Sequence, residues 1–369
     1  MNRLLLASVL LFTLQATPPP AHLPQPHTRF PEAQGRPAEV VAAIFGPATG
    51  SPARPSAVVG FIVGKTIEMK SFGKLSPSGD AAPDRNTVYE IGSITKGLTG
   101  ILLADMALAG EVSLHDTLDK FLPDAANFPE AVRKITLVQL ATHASGLPRL
   151  PGNLMFGMKD ATNPYAHYGA KELQAFLFGY TPPPGRTTIT PEYSNLGYGL
   201  LGYILSLKAG TPYEALLKAR VLEPLGMKDT SIALSDDQRT RLAPGHANGA
   251  AVNNWDLDAL AGAGALRSTI ADMTRLLQAL MRPPDSRAGK AIRLAIEPRG
   301  QLGAAKIGFA WLTSTPPNGP AFTWHNGGTG GYRSFIGFTH DRKAGIVVLT
   351  NGSDQSPDPL AVQALTKLR

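Results

Sequence analysis

Thr87-Val88-Tyr89-Glu90-Ile91-Gly92-Ser93-Ile94-Thr95-Lys96 is the stretch that decides the fold. Thr87 to Ile91 is rich in β-branched and aromatic residues and reads as an extended run, while Gly97 to Ala109 carries apolar residues at helical spacing. Ser93 is therefore expected at a helix start, with Lys96 one turn along. A three-residue offset on a helix puts the hydroxyl and the amine on one face, within mutual reach. That sets a nucleophile beside a base. A serine hydroxyl is a weak nucleophile until a neighbour takes its proton, and a lysine can do so only if burial or another cation lowers its pKa. The helix N-terminus also turns backbone N–H groups toward developing negative charge. The same spacing recurs at Ser71-Phe72-Gly73-Lys74, but in a strand it sends the two side chains to opposite faces. Ser93 also has a plainer reading, as a helix cap.

Outward from this stretch, Ser56 to Val63 and Ile67 to Phe72 read as a hairpin about Gly64-Lys65-Thr66. The middle third predicts helices near Leu137–Thr142, Ala170–Phe178, Leu196–Lys208 and Pro212–Val221, joined by long loops. Strand character returns at Gly308–Ser314, Ala321–His325, Tyr332–Phe338 and Ile346–Thr350, with a helix before it at Thr269–Met281 and a terminal one at Leu360–Leu368. The implied class is α+β: an antiparallel sheet from both chain ends, helices on its faces, and a mostly helical region inserted between. By residue number, the sheet domain comprises 38–115 and 255–369, the helical insert 116–254, and the active site lies between them.

Of the 369 residues, 43% are hydrophobic and 17% charged, enough for a large core. Residues 1–16 open on Met1-Asn2-Arg3 and an apolar run from Leu4 to Leu14, the pattern of a secretory signal and too short to span a bilayer. Leu14 fits a cleavage after Ala16 poorly, so the segment is either a signal peptide or a retained anchor. The linker 17–37 holds seven prolines and reads as a stiff tether. An exported, periplasmic, secreted or envelope-associated protein is expected, membrane-tethered if the anchor is retained. The absence of cysteine excludes disulfides and thiolate chemistry, and the eight histidines show no metal-ligand spacing, so neither metal nor cofactor is expected. The formal charge of +7 is spread along the chain with no nucleic-acid motif, and no nucleic-acid partner is expected.

Tyr193-Ser194-Asn195 precedes the helix at Leu196 and follows the Pro-rich turn Pro182 to Gly185. Lys/His-x-Gly occurs five times, at His167, Lys208, Lys306, His325 and Lys343. Only His325-Asn326-Gly327 ends a strand and runs into the glycine-rich Gly328, Gly330, Gly331, where a substrate can lie along exposed backbone. With Ser93-x-x-Lys96 and Leu140-Ala141-Thr142-His143-Ala144-Ser145-Gly146-Leu147-Pro148, these motifs make the chain resemble the serine β-lactamase and penicillin-binding-protein superfamily, and within it class C β-lactamases, DD-carboxypeptidases and their esterase relatives. The likeness spans about Ala57 to Thr350.

The resemblance implies acyl transfer in two steps on an amide or ester, with a small molecule or a peptidoglycan peptide as substrate. Ser93, Lys96 and Tyr193 would be catalytic, the last two as a coupled pair. Asn195, His325, Asn326, Gly327 and Gly328 would bind and orient substrate, and the N–H groups of Ser93 and Gly328 would hold the oxyanion. His325 would supply positive charge when protonated. Asn326 stands where the family usually has a threonine that helps hold a substrate carboxylate. An esterase on the same fold and a non-hydrolytic penicillin-binding sensor or scaffold are the competing readings, whereas no Gly-x-Ser-x-Gly elbow of an α/β-hydrolase exists in the chain.

Overall fold

The computed structural model describes residues 36–76, 78–182, 190–317 and 319–369. The signal segment, nearly all of the Pro-rich linker and most of the turn from Pro182 to Gly185 lie outside the described residues. The strands are β1 (Ser56–Val63), β2 (Thr66–Gly73), β3 (Val88–Glu90), β4 (Gly245–Ala247), β5 (Ala250–Val252), β6 (Arg267–Thr269), β7 (Gly300–Leu302), β8 (Ala305–Ile307), β9 (Leu312–Ser314), β10 (Phe322–Gly328), β11 (Arg333–Thr339) and β12 (Ala344–Thr350). The helices are α1 (Arg36–Phe45), α2 (Ile94–Leu108), α3 (Glu130–Arg133), α4 (Leu137–Ala141), α5 (Ala170–Gly179), α6 (Asn195–Ala209), α7 (Tyr213–Leu217), α8 (Asp236–Thr240), α9 (Ala261–Gly264), α10 (Ile270–Met281), α11 (Arg287–Ile296) and α12 (Asp358–Leu368).

An antiparallel sheet runs in the order β2-β1-β12-β11-β10-β9-β8-β7, so strands from both ends of the chain share it. Period-two alternation explains the composition of β1. Val58 and Ile62 face the large core with α2 and α10, whereas Val59 and Phe61 face a second core with α1 and α12. Both faces are covered, and β1 is buried along nearly its whole length. The helix α10 lies so close on the inner face that a Cβ on Gly60 would fall 2.2 Å from Thr274 Oγ1. The linker ends earlier than expected. Arg36 and Pro37 already belong to α1, where proline suits a first turn that has no partner for its N–H.

Three features of this frame position the site. First, Ile91 N–H donates to the Leu266 carbonyl and Ser334 Oγ donates to the Ile91 carbonyl, tying the chain after β3 to both β6 and β11. Second, Gly92 at φ +48° turns the chain from extended into α2, a left-handed conformation that side chains resist. Third, β9 pairs with β10 only at Phe322 to Trp324. From His325 to Gly328, β10 keeps its partner on the β11 side and exposes its other edge. The third motif therefore occupies an unpaired half of an interior strand.

Candidate active site

Ser93 precedes α2 with helical backbone angles, and its side chain makes no capping hydrogen bond. The helix-cap reading fails, and the hydroxyl is free for other work. Lys96 Nζ lies 2.9 Å from Ser93 Oγ and donates a 2.6 Å hydrogen bond to the Ala263 carbonyl on α9. Its side chain is fully buried, and desolvation, with the Arg149 charge second, holds the amine well below the ordinary lysine range. Burial thus favours the uncharged form of Lys96, the form that can accept a proton. The Tyr193 phenol hydrogen-bonds Ser93, and its ring stacks 4.9 Å under Lys96 Nζ. Burial pushes that phenol up to about 12, outweighing the Ser93 hydrogen bond and the Arg149 charge. At neutral pH it keeps its proton.

The turn that presents Tyr193 is fastened from below by the Leu140–Pro148 motif. His143, itself left-handed at φ +58°, accepts the Ser194 N–H on Nδ1 at 3.1 Å, and its carbonyl accepts the Glu192 N–H. Ser194 Oγ donates to the Pro148 carbonyl and accepts from Gly197 N–H, capping α6. The Arg149 carbonyl accepts both the Asn195 and the Leu196 N–H groups. The His143 ring then packs at a tilt against Tyr193 and Tyr198, with centroids 4.5 Å and 5.0 Å away. Through these contacts the Thr142-His143-x-Ser145-Gly146-Leu147-Pro148 stretch forms the cradle of the tyrosine.

Ser93, Asn195 and Gly328 line one small cleft with Tyr165, Trp255 and Leu260. Asn195 Oδ1 has no protein partner, so the amide is free to receive a donor from substrate. Gly327 packs against the Ile91 carbonyl, and Gly92 lies against Gly328. In the β10–β11 ladder, Thr329 N–H bonds to the Tyr332 carbonyl, so by the two-residue period the Gly328 N–H points away from β11 toward the open edge. No protein acceptor takes the Ser93 N–H among the described residues. Two amides with no protein acceptor among the described residues therefore belong to residues that line the cleft.

A family model described as Beta-lactamase matches residues 41–367. The chain belongs to the beta-lactamase family. It is 31% identical over 324 residues to the D-alanyl-D-alanine-carboxypeptidase/endopeptidase AmpH of Escherichia coli strain K12, covering 82% of this chain and 81% of that protein. It is 28% identical over 316 residues to a beta-lactamase of the same strain, covering 76% and 79%. A crystal structure of a class C beta lactamase from Rhodobacter sphaeroides superposes with a TM-score of 0.77 at 23% identity, over 89% of this chain and 98% of that one.

Two expectations drawn from the family's third motif are corrected. His325 faces Tyr193 at 6.4 Å between ring centroids, but it is fully buried, with Nδ1 2.6 Å from the Asn326 carbonyl oxygen. Desolvation, with any charge on Lys96 second, lowers it to about 3. It carries no positive charge at neutral pH. Asn326 is the next residue on a strand, so its side chain must point to the opposite face, where Nδ2 donates to Asp358 Oδ2 of α12 at 2.5 Å. It cannot stand in for a threonine facing the cleft. His143, Tyr198 and Arg149 are neighbours of Tyr193 to which the sequence motifs assign no part in the site. Arg149 stacks its guanidinium 5.1 Å from the Tyr193 ring centroid.

Among the described residues no cluster of His, Asp and Glu could hold a metal ion, and no helix is long and apolar enough to cross a membrane.

Proposed function

We propose that Ser93 is the nucleophile of an acyl-transfer hydrolase, a reading carried by one observation: its hydroxyl sits between a buried amine 2.9 Å away and the Tyr193 phenol. Lys96 takes the Ser93 proton as Oγ attacks the carbonyl. The oxyanion settles between the Ser93 and Gly328 N–H groups, where each such donor contributes ~3 kcal/mol in comparable sites. Tyr193 gives its proton to the leaving group and recovers one from Lys96, so the pair works as a relay. Water then enters on the Tyr193 side and attacks the acyl carbonyl as it loses a proton to the same relay, which returns that proton to Ser93 Oγ as the ester bond breaks. We assign the reaction to an exported enzyme acting on a small amide or a peptidoglycan peptide, in line with the AmpH and beta-lactamase relatives. The turn of Asn326 toward Asp358 favours a second reading, an esterase on the same fold.

Intact-mass measurement after incubation with a β-lactam, followed over time for wild type and Ser93→Ala, separates these outcomes. A lasting adduct on wild type alone marks a penicillin-binding protein, and rapid turnover marks a β-lactamase. Ser93-dependent cleavage of p-nitrophenyl esters without an adduct marks an esterase. If wild type does neither, Ser93 is not a nucleophile.

Because His325 is neutral, the acid limb of kcat/KM is expected to belong to Lys96, with activity lost as pH falls and the amine takes up a proton. Replacing His325 by glutamine exchanges one neutral group for another, so that limb should keep its position even if the rate falls. A charged His325 would have been lowering the Lys96 pKa, and its removal would move the limb to higher pH. A pH-rate profile of His325→Gln with the limb displaced upward would show that the histidine carries a proton.

A further inference from the structure

Trp255 belongs to the irregular stretch between β5 and α9, and no backbone group among the described residues takes its N–H or its carbonyl. Side chains hold both instead. The N–H donates to Glu90 Oε1 at 3.0 Å, and the carbonyl accepts from Arg267 Nη2 at 3.1 Å. Glu90 and Arg267 are opposite residues of the β3–β6 ladder, both are buried, and Arg267 Nη2 lies 3.4 Å from the same Glu90 oxygen. Arg267 also donates to the Ile232 carbonyl through Nη1 and to Asp256 Oδ1 through Nη2. A buried ion pair is a poor source of stability, because desolvation of two charges offsets their attraction. What this one secures is a place. Ser93 follows Glu90 closely in sequence, so one short pair of strands sets both the nucleophile and the tryptophan. The Trp255 side chain lines the Ser93 cleft, with the Tyr165 ring 5.2 Å away and Gly330 so near that a Cβ there would fall 2.8 Å from the indole Nε1.

We infer that Glu90 is a positioning residue for the reaction: through Trp255 it sets the wall against which the acyl group of the substrate packs, and with it a preference for apolar acyl groups. This rests on the acyl-transfer reading of Ser93. Tyr193 protonates the leaving group, and the rings and cations about it are those of His143, His325, Lys96 and Arg149. Trp255 stands apart from that set, beside the turn that follows Gly328. A group resting on it therefore belongs to the half of the substrate that stays on Ser93. The wall there is Tyr165, Trp255, Leu257 and Leu260, and no charged side chain lines the cleft, which suits a hydrocarbon chain or ring. Glu90 itself touches no substrate. It acts by keeping the indole in register with the nucleophile, where a small misplacement is felt in the rate.

The test compares p-nitrophenyl acetate with p-nitrophenyl butyrate, which share a leaving group and differ only in acyl length, and reads the ratio of their kcat/KM values. Wild type is expected to favour the butyrate about 10-fold, the worth of two buried methylenes. Trp255→Ala should bring the ratio close to unity. Glu90→Gln keeps the shape without the charge and should lower the ratio roughly 3-fold or more, the low end of coupling between residues in contact. The double variant Glu90→Gln/Trp255→Ala should match Trp255→Ala, because Glu90 reaches the acyl group only through the tryptophan. A Glu90 that served stability alone would lower the melting temperature and slow both esters alike. An unchanged ratio in Glu90→Gln, a wild-type ratio in Trp255→Ala, or a double variant well below Trp255→Ala overturns the inference, while Ser93-dependent hydrolysis keeps the acyl-transfer reading standing. If wild type cleaves neither ester through Ser93, the inference falls, and the β-lactam adduct decides whether the acyl-transfer reading falls with it. Should Glu90→Gln fail to fold, Arg267→Lys decides in its place. One ammonium cannot replace the guanidinium fork at Ile232, Trp255 and Asp256 together, so the ratio should drop, and an unchanged ratio overturns the inference.

Discussion

Lys96→Met is expected to cut kcat/KM roughly 10^2- to 10^4-fold, the range lost with a general base, while leaving the melting temperature unchanged or higher. The two effects have one cause. Lys96 is fully buried against α9 with Ala263 as its hydrogen-bond acceptor, and burial disfavours its charged form. A methionine of similar length fills the same space without an amine to desolvate, so the fold loses a cost and the reaction loses its base. Steady-state kinetics with an activated ester and a thermal melt on the same preparation check both halves. A melting temperature well below wild type would mean that the amine contributes to stability through its hydrogen bonds, contrary to the desolvation account.

Gly92→Ala is expected to lower kcat about 10^2- to 10^3-fold, as loss of an oxyanion donor does. A Cβ on Gly92 would fall 2.6 Å from Gly328 N and 2.9 Å from Gly328 O, driving apart the two segments whose amides face the cleft. The residue also sits at φ +48°, which costs an alanine ~1 to 2 kcal/mol in stability. Gly303, in the turn between β7 and β8, separates these contributions: its φ is +58°, and nothing lies within 4 Å of the added carbon. Gly303→Ala should show the stability loss alone. If Gly92→Ala melts lower by the same amount yet turns over as fast as wild type, the Gly328 amide has no part in holding the oxyanion.

The long strands and helices could be read in advance because each repeats its pattern over several turns or pleats, as in β1, β10 to β12, α2 and α10. The three-residue strands β6 to β8 offer too few positions for a period to emerge. The helix α11 carries Gly289 inside it and lies close after Pro283-Pro284, so breaker residues mask a helix that its packing on α2 sustains. Within the site, Ser93 and Lys96 are near neighbours in sequence and their contact follows from helix geometry. His143 and Arg149 reach Tyr193 from some fifty positions away, and local spacing carries no trace of such a contact. The turn of Asn326 is different in kind. Neighbouring residues on a strand face opposite ways, so once His325 faces Tyr193 the amide beside it has to leave the cleft.

The open stretch of β10 from His325 to Gly328 is bounded at one end by β9 and at the other by the turn into β11. Four residues of strand rise roughly 13 Å. An extended chain laid beside it finds backbone partners over that length and no further, which makes the gap a ruler: it measures a short segment whatever its side chains are. The same shortness protects the enzyme itself, because a recessed edge of four residues gives a second copy of the protein too little backbone to pair with.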